Sequence, residues 1–475
     1  MTAGNGTRRF AEFFSTLALE AVPARVQDMG RWLMVDTLGC LAAGAQAAPA
    51  PAIGHVAALF AGRPGASQAG QPAAQGTMRA AYANARFANL LDFDETYPVG
   101  VHFGIGAVSA AIAAAEAHAC TPRDLLAGVI AGYEAGARMA CAVGPMMQVE
   151  DGKVAGFSPV WGVAAPVVVA ACVAYARTTG LDAATLRQAL GIAGANIPLP
   201  IGRKWSEAEH LPDVKYCDAG WCAATALHGI ESALAGLTGF ADILDGPGGI
   251  PEACGAAMPA PEQLHDGLGA RWHLPDLTFK PWPCCRFMHA PLSALDRILS
   301  RHGVQPADIR EIVIHTGPLA DSRRFRNASP RTFASHQFSY AHVVAMMALG
   351  VPSGPRWFDP AIAHSPAALA LRDKVRIERL ARADDFAGAM VDNQIRAMPG
   401  GATVRTAAST WTLECDYADG DPWDESSRYG PEQVRRKFEG IVGAARARPL
   451  LAWLFDDASS LAPLSRFIRE SNDAS

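Results

Sequence analysis

The stretch Asn84-Ala-Arg-Phe-Ala-Asn-Leu-Leu-Asp92-Phe-Asp94-Glu95-Thr96-Tyr-Pro-Val-Gly-Val-His102-Phe-Gly104 sets the reading of the whole chain. An alanine-rich apolar run enters it, and a second one, 105–119, leaves it. Both have helix texture. Three acids, a hydroxyl and an imidazole are therefore concentrated on a short connection between two elements that read as buried. Reactive groups on a loop held by rigid helices are a common way to build a site. Taken alone, the segment fits equally well with Asp92 and Asp94 as helix caps and His102 as an interior histidine.

Working outward, residues 24–43 repeat apolar side chains at Val26, Met29, Leu33, Leu38 and Leu41, one face of a helix. Thr121-Pro122-Arg123-Asp124 reads as a helix start, with Thr as N-cap, Pro in the first turn and an acid three residues on. Further helices are expected at 78–91, 164–178, 182–193 (capped by Asp182) and 220–236. No βαβ alternation, GxGxxG or phosphate loop interrupts them. Residues 154–175 carry no charge and are long enough to span a bilayer. Gly156, Pro159, Gly162 and Pro166, and an Ala/Val composition, favour instead a core helix entered through a loop.

Beyond Met258-Pro-Ala-Pro261 the texture changes. Segments 310–315, 374–380 and 402–417 alternate like strands, with helices expected at 289–302 and 336–349. Helical patterns return at 431–445 and 450–461. The expectation is a mainly α fold: a large all-helical domain from residues 1–270 and 410–475, with a smaller α+β lid domain at 271–409.

Half of the 475 residues are hydrophobic and the net charge is −5, with both signs spread along the chain. That excludes a nucleic-acid footprint or a polybasic membrane patch. The polar first residues lack the apolar core of a secretory signal, so a cytoplasmic protein is expected. The ten cysteines show no paired CxxC and no zinc spacing. Buried free thiols and no metal site are expected.

Four further spots carry candidate chemistry. Lys215 lies just before Gly220-Trp221, where a cation beside a helix start would make a carboxylate-binding corner; the bland alternative is a surface lysine. Lys280, in Phe279-Lys280-Pro-Trp-Pro-Cys284-Cys285, is set among apolar residues. The two cysteines read as buried rather than nucleophilic, since a thiol needs an activating base. His336, Ser339, Tyr340 and His342 gather at a helix start. Arg203 and Lys204 add cations near Lys215. With acids and a histidine on one loop and lysines on others, the inventory suggests cofactor-free proton chemistry on a small anionic substrate.

At these same spots the chain resembles the MmgE/PrpD family, whose members include 2-methylcitrate dehydratase, cis-aconitate decarboxylase and iminodisuccinate epimerase. The resemblance rests on Val35-Asp-Thr-Leu-Gly-Cys-Leu-Ala-Ala-Gly44, Leu91-Asp-Phe-Asp-Glu-Thr96 with His102, Gly132-Tyr-Glu134 with Arg138, Lys215 with Gly220-Trp221, Thr238-Gly239, and Lys280-Pro-Trp-Pro-Cys-Cys. It implies a helical domain built from both chain ends, an α+β lid, a cleft between them and a homodimer without cofactor. By position it implies that Asp92, Thr96, His102, Lys215 and Lys280 are catalytic. His102 would be the acid or base, oriented by Asp92, with Thr96 bonding the substrate. Lys215 and Lys280 would bind carboxylates and stabilise an enolate-like species. Arg203, Lys204, Ser158, Tyr340 and His342 are expected to line the substrate.

Two departures stand out. Gly156-Phe157-Ser158-Pro159 lacks the histidine usual in that segment, and His342 falls where a tyrosine is usual. The expected activity is a lyase, dehydrating or decarboxylating a hydroxy- or unsaturated polycarboxylate. An epimerase or a silent metabolite-binding paralogue are the alternatives.

Overall fold

The computed structural model describes residues 5–199, 202–254, 259–455 and 459–471. Met258, and positions 456–458 of the helix expected at 450–461, lie outside the described residues. The fold is mainly helical with small sheets. Its centre is a set of long helices, Ala24–Ala45, Thr77–Asn89, Gly104–Ala117, Pro122–Val143, Ala164–Thr179 and Ala219–Leu234. Small residues let these helices approach closely: a Cβ at Gly132 would lie 2.6 Å from the Ala170 carbonyl. The Thr121–Asp124 capping box is present, and Asp182 caps its helix through the Thr185 amide. The uncharged stretch at 154–175 forms a strand end, a loop and the buried helix Ala164–Thr179. Among the described residues no helix is long and apolar enough to cross a membrane.

Two short ribbons interrupt the helical region, where only helices were expected. Pro64–Ala66 pairs with Gln75–Gly76, and Met147–Glu150 with Lys153–Phe157. The second turns through Asp151-Gly152, both at positive φ (49° and 74°). Asp-Gly is a two-residue hairpin signal that the helical context masked.

The α+β portion is built on a four-stranded sheet in the order Thr410–Cys415, Gly400–Thr406, Ile309–Thr316, Val375–Arg379. The first three strands are antiparallel and the last pair parallel. Helix His289–His302 packs on it. The single strand expected at 402–417 is a hairpin. Its turn has no Gly or Pro; the Thr406 hydroxyl closes it by accepting from the Ala408 and Ser409 amides. The strand Thr410–Cys415 thus joins this sheet from the helical side of the boundary expected at 409/410.

Helix Pro431–Val442, the first of three that end the described chain, returns to pack on Ala24–Ala45. Its Lys437 donates to Asp36 Oδ1 and to the Phe93 carbonyl, both at 2.6 Å, and lies over the Phe93 ring.

Candidate active site

The acid loop begins where helix Thr77–Asn89 stops. Asp92 takes a left-handed conformation (φ 54°), which turns the chain, and its amide donates back to the Asn89 carbonyl. Lys437 then holds the Phe93 carbonyl. Thr96 forms an antiparallel bridge with Thr278, N–H to O at 3.0 and 2.9 Å. That bridge carries Lys280, two residues on from Thr278, to the acid loop. Asp421 secures the same segment, accepting from Thr278 Oγ1 and from Arg286. Gly420 (φ 97°) lets the backbone pass over the Phe279 carbonyl, where a Cβ would overlap.

The result is a buried carboxylate held by two ammonium groups. Lys215 Nζ donates to Asp92 Oδ1 at 2.7 Å and Lys280 Nζ to Asp92 Oδ2 at 3.0 Å. Tyr216 Oη is a third donor to the carboxylate, reaching Oδ1 at 3.1 Å. Burial pushes the Asp92 carboxyl up, but the charges of Lys215 and Lys280 outweigh it and hold Asp92 well below the usual carboxylate range. Asp92 is therefore a fixed anion, unsuited to take a proton. The two lysines share it unequally. Burial lowers Lys215, whereas for Lys280 the pull of Asp92 and Asp94 exceeds the cost of burial and raises it. Lys215 is the ammonium more readily neutralised.

His102 pairs with Asp94 and not, as expected, with Asp92. Its Nδ1 faces Asp94 Oδ2 at 3.1 Å and the Glu95 carbonyl at 2.6 Å. Two acceptors fix Nδ1 as the donor, so Nε2, with no hydrogen bond among the described residues, carries the lone pair. The physical reason is local: both oxygens of Asp92 are already engaged by the lysines. The imidazole stacks on the Tyr216 ring at 5.4 Å between centroids, 15° apart in plane. Glu95 turns away and accepts from the Gly104 amide at 2.5 Å, at the start of the next helix. Burial, then the neighbouring Asp94, push its carboxyl well above the normal range. The Thr96 hydroxyl donates to the Val101 carbonyl at 3.2 Å and is buried.

The structure thus brings Asp92, His102, Lys215 and Lys280 together, while Thr96 is tied to the Lys280 segment by its backbone bridge and turns its hydroxyl to the Val101 carbonyl. The remaining expected residues are placed differently. Lys215 does not form a corner with the helix start; the N-cap there is Asp218, which accepts from Trp221 N. Lys204 lines a cavity of about 340 Å³ whose wall includes Lys215 and Tyr216. Arg203 points to solvent and pairs with Glu207. Ser158 is buried, and its amide donates to the Met146 carbonyl. Tyr340 is bonded to Thr316 Oγ1 at 2.9 Å. His342 Nδ1 accepts from Arg372 at 2.6 Å, against the rings of His336 and Phe358. Burial first, then the nearby His336 and Arg372, keep it neutral. Neither Tyr340 nor His342 bonds any member of the Asp92 cluster, because both sit on the buried face of helix Tyr340–Ala348. Cys284 and Cys285 are buried free thiols, raised by burial, Cys285 to about 11. Among the described residues no group of three His, Cys, Asp or Glu side chains could hold a metal ion.

Several participants were missed in the sequence. Asn89 Nδ2 donates to Tyr216 Oη at 2.8 Å and to Asp94, and the Asn89 carbonyl accepts from Lys215 at 2.7 Å. Tyr216 adjoins Lys215 and Asn89 closes the quoted helix, so their positions were in view but their roles were not. Lys437, more than 340 residues from Phe93, left no local signal. The conspicuous Glu134 and Arg138 are structural. Glu134 accepts from the His273 and Leu274 amides, and Arg138 donates to the carbonyls of Asp266 and Arg271.

Comparison with known proteins places the chain in a family. The MmgE/PrpD N-terminal domain matches residues 8–261, and the MmgE/PrpD C-terminal domain residues 282–448. Two cis-aconitate decarboxylases are similar over 360 residues, spanning 72% of this chain and 71% of theirs. One, from Aspergillus terreus strain NIH 2624 / FGSC A1156, is 23% identical, and another from Aspergillus terreus is 25% identical. The Asp92 loop and Lys215 fall in the first matched region, Cys284 and Cys285 in the second, and Lys280 between the two. This chain belongs to the MmgE/PrpD family.

Proposed function

We propose that the protein is a cofactor-independent lyase acting on a small polycarboxylic acid, by proton abstraction next to a carboxylate. The observation that carries the reading is Asp92 bridged between two buried lysines beside an imidazole with a free Nε2. An arriving substrate carboxylate replaces part of Asp92's hold on Lys215 and Lys280. His102 Nε2 takes the Cα proton, and the ammonium groups stabilise the enolate-like charge. In a dehydration, the electron pair from the C–H bond forms the alkene as the C–O bond breaks. The leaving hydroxide takes the proton back from the imidazolium and departs as water. The similarity to cis-aconitate decarboxylases supports a polycarboxylate substrate and keeps decarboxylation as the sibling reaction. The same proposal includes an α+β lid (271–409) over a helical domain (1–270 and 410–475), a homodimer and a cytoplasmic setting.

The test is proton NMR in D2O with citrate-like, malate-like and unsaturated di- and tricarboxylic acids, with His102→Ala as control. Loss of water or CO2 from one acid, abolished in the variant, is the expected result. Solvent deuterium entering a Cα position without a new alkene would replace the lyase with an epimerase. No change in any acid would count against both.

A further inference from the structure

We infer that the acid this protein handles carries an apolar arm, and that the cavity beside Lys215 receives it. The inference deepens the lyase reading and rests on its placement of a carboxylate at Lys215. The cavity, about 340 Å³, adjoins the catalytic cluster: Lys215 and Tyr216 form part of its wall, and the Lys215 side chain is buried behind it. Most of the remaining wall is apolar: Trp161, Trp205, Pro198, Leu199, Pro212 and Val214. Its other charged residues are Lys204 and Asp218. Asp218 is already engaged, capping the Trp221 amide at 3.0 Å and facing Arg86 at 3.7 Å. The cavity therefore offers the Lys204 ammonium, with that of Lys215 buried just behind the wall, to one end of a ligand and aromatic and aliphatic surface to the other. A compact tricarboxylate would have to press charge against that surface and lose its hydration there. An acid with its carboxylates at one end and a phenyl or branched alkyl group at the other matches the wall.

Two further observations point the same way. Leu199 and Val214 are 48% and 55% exposed, so apolar side chains of this wall stand in water until something covers them. Trp161 is 7% exposed with no hydrogen-bond partner for Nε1 among the described residues. The aromatic wall is also preformed. Trp161 packs at a tilt on Phe157 and lies against Gly202, where a Cβ would overlap the indole. Trp205 is held edge-on between Tyr216 and Phe338. A rigid wall needs little ordering when a ligand arrives.

The test is calorimetric binding of succinate and 2-benzylsuccinate to the full chain, which requires no turnover. Benzylsuccinate is expected to bind at least about tenfold more tightly, since the parent acid buries no apolar arm. Leu199→Ser and Val214→Ser, both at exposed positions, should each reduce that advantage while moving succinate by less than about twofold. Equal affinity for the two acids, an advantage intact in both variants, or no binding of benzylsuccinate would overturn the inference. The lyase reading fails separately. Turnover of a compact polycarboxylate, lost in His102→Ala, with equal binding of the two probes removes the apolar arm and keeps the lyase. A benzyl preference with no turnover of any acid keeps the pocket and removes the lyase.

Discussion

Asp92 and Lys215 meet at 2.7 Å from backbones that are both left-handed, with φ of 54° and 56°. A lysine in that region is strained by about 1 kcal/mol or more, and the ion pair lies where the strain is stored. Lys215→Gly and Lys215→Ala both remove the ammonium, but only glycine relaxes the backbone. The glycine variant should be the more stable by about 1 kcal/mol in urea unfolding. Equal midpoints would mean that the left-handed turn carries no strain.

Asp92→Ala leaves two buried ammonium groups facing each other without their anion. The loss should be about 3–5 kcal/mol, the size expected when one partner of a buried ion pair is removed. It should shrink as pH rises, because Lys215 is the ammonium more readily neutralised. Urea unfolding at neutral and alkaline pH checks both statements.

Asp94→Asn keeps the shape but removes the charge on His102 Nδ1. The Glu95 carbonyl still accepts from Nδ1, but the imidazolium formed on proton transfer loses its counter-charge, so kcat should fall by roughly 10² or more while the fold persists. An unchanged kcat on the substrate identified by NMR would remove His102 Nε2 from the base role.

Tyr216→Phe retains the ring stacked on His102 and removes one donor to Asp92 Oδ1. The expected effect is a kcat lower by roughly tenfold to a hundredfold, with KM moved little and stability reduced by about 1 kcal/mol. A variant with wild-type kcat and pH profile would make Tyr216 a packing residue only.

Glu134 supplies a pH prediction. Burial raises its carboxyl from 4.5 to about 7, against the backbone amides that favour its ionised form. The folded state keeps this proton where the unfolded chain has released it. The contribution to stability is therefore full below about pH 4.5 and is lost as pH rises through about 7. Glu134→Gln still accepts from the His273 and Leu274 amides but cannot ionise. Its stability relative to wild type should improve between about pH 5 and about pH 8. Buried His273, pushed down to about 3, favours the fold above its ordinary 6.5 and is lost as pH falls, and it is common to both proteins. Thermal unfolding across that range measures the difference, and parallel curves would refute the assignment.

Much of the helical plan was legible because its signals are local. Periodic apolar faces, the Thr121–Asp124 box and the Asp182 cap need only neighbouring residues, and they appear where expected. The hairpin at 400–415 was misread as one strand because a threonine hydroxyl closes its turn. The ribbon at Met147–Phe157 was passed over because its Asp-Gly turn stood between two helical runs. In the candidate site, residue types were visible but pairings were not. The resemblance implied that Asp92 orients His102, yet the lysines occupy both Asp92 oxygens and leave the imidazole to Asp94.

The sequence by itself determined the helical class, the acid loop between two buried helices and the lysines worth watching, since these follow from side-chain pattern and chemistry along the chain. The tertiary structure alone decided which acid each cation takes, that Lys280 reaches Asp92 through the Thr96–Thr278 bridge, and that Lys437 holds the Phe93 carbonyl. It also decided that His342 belongs to Arg372. The reason is that an ion pair or hydrogen bond is fixed by distances of about 3 Å. Those distances are set by how separate segments pack, and no local pattern in either segment records its partner.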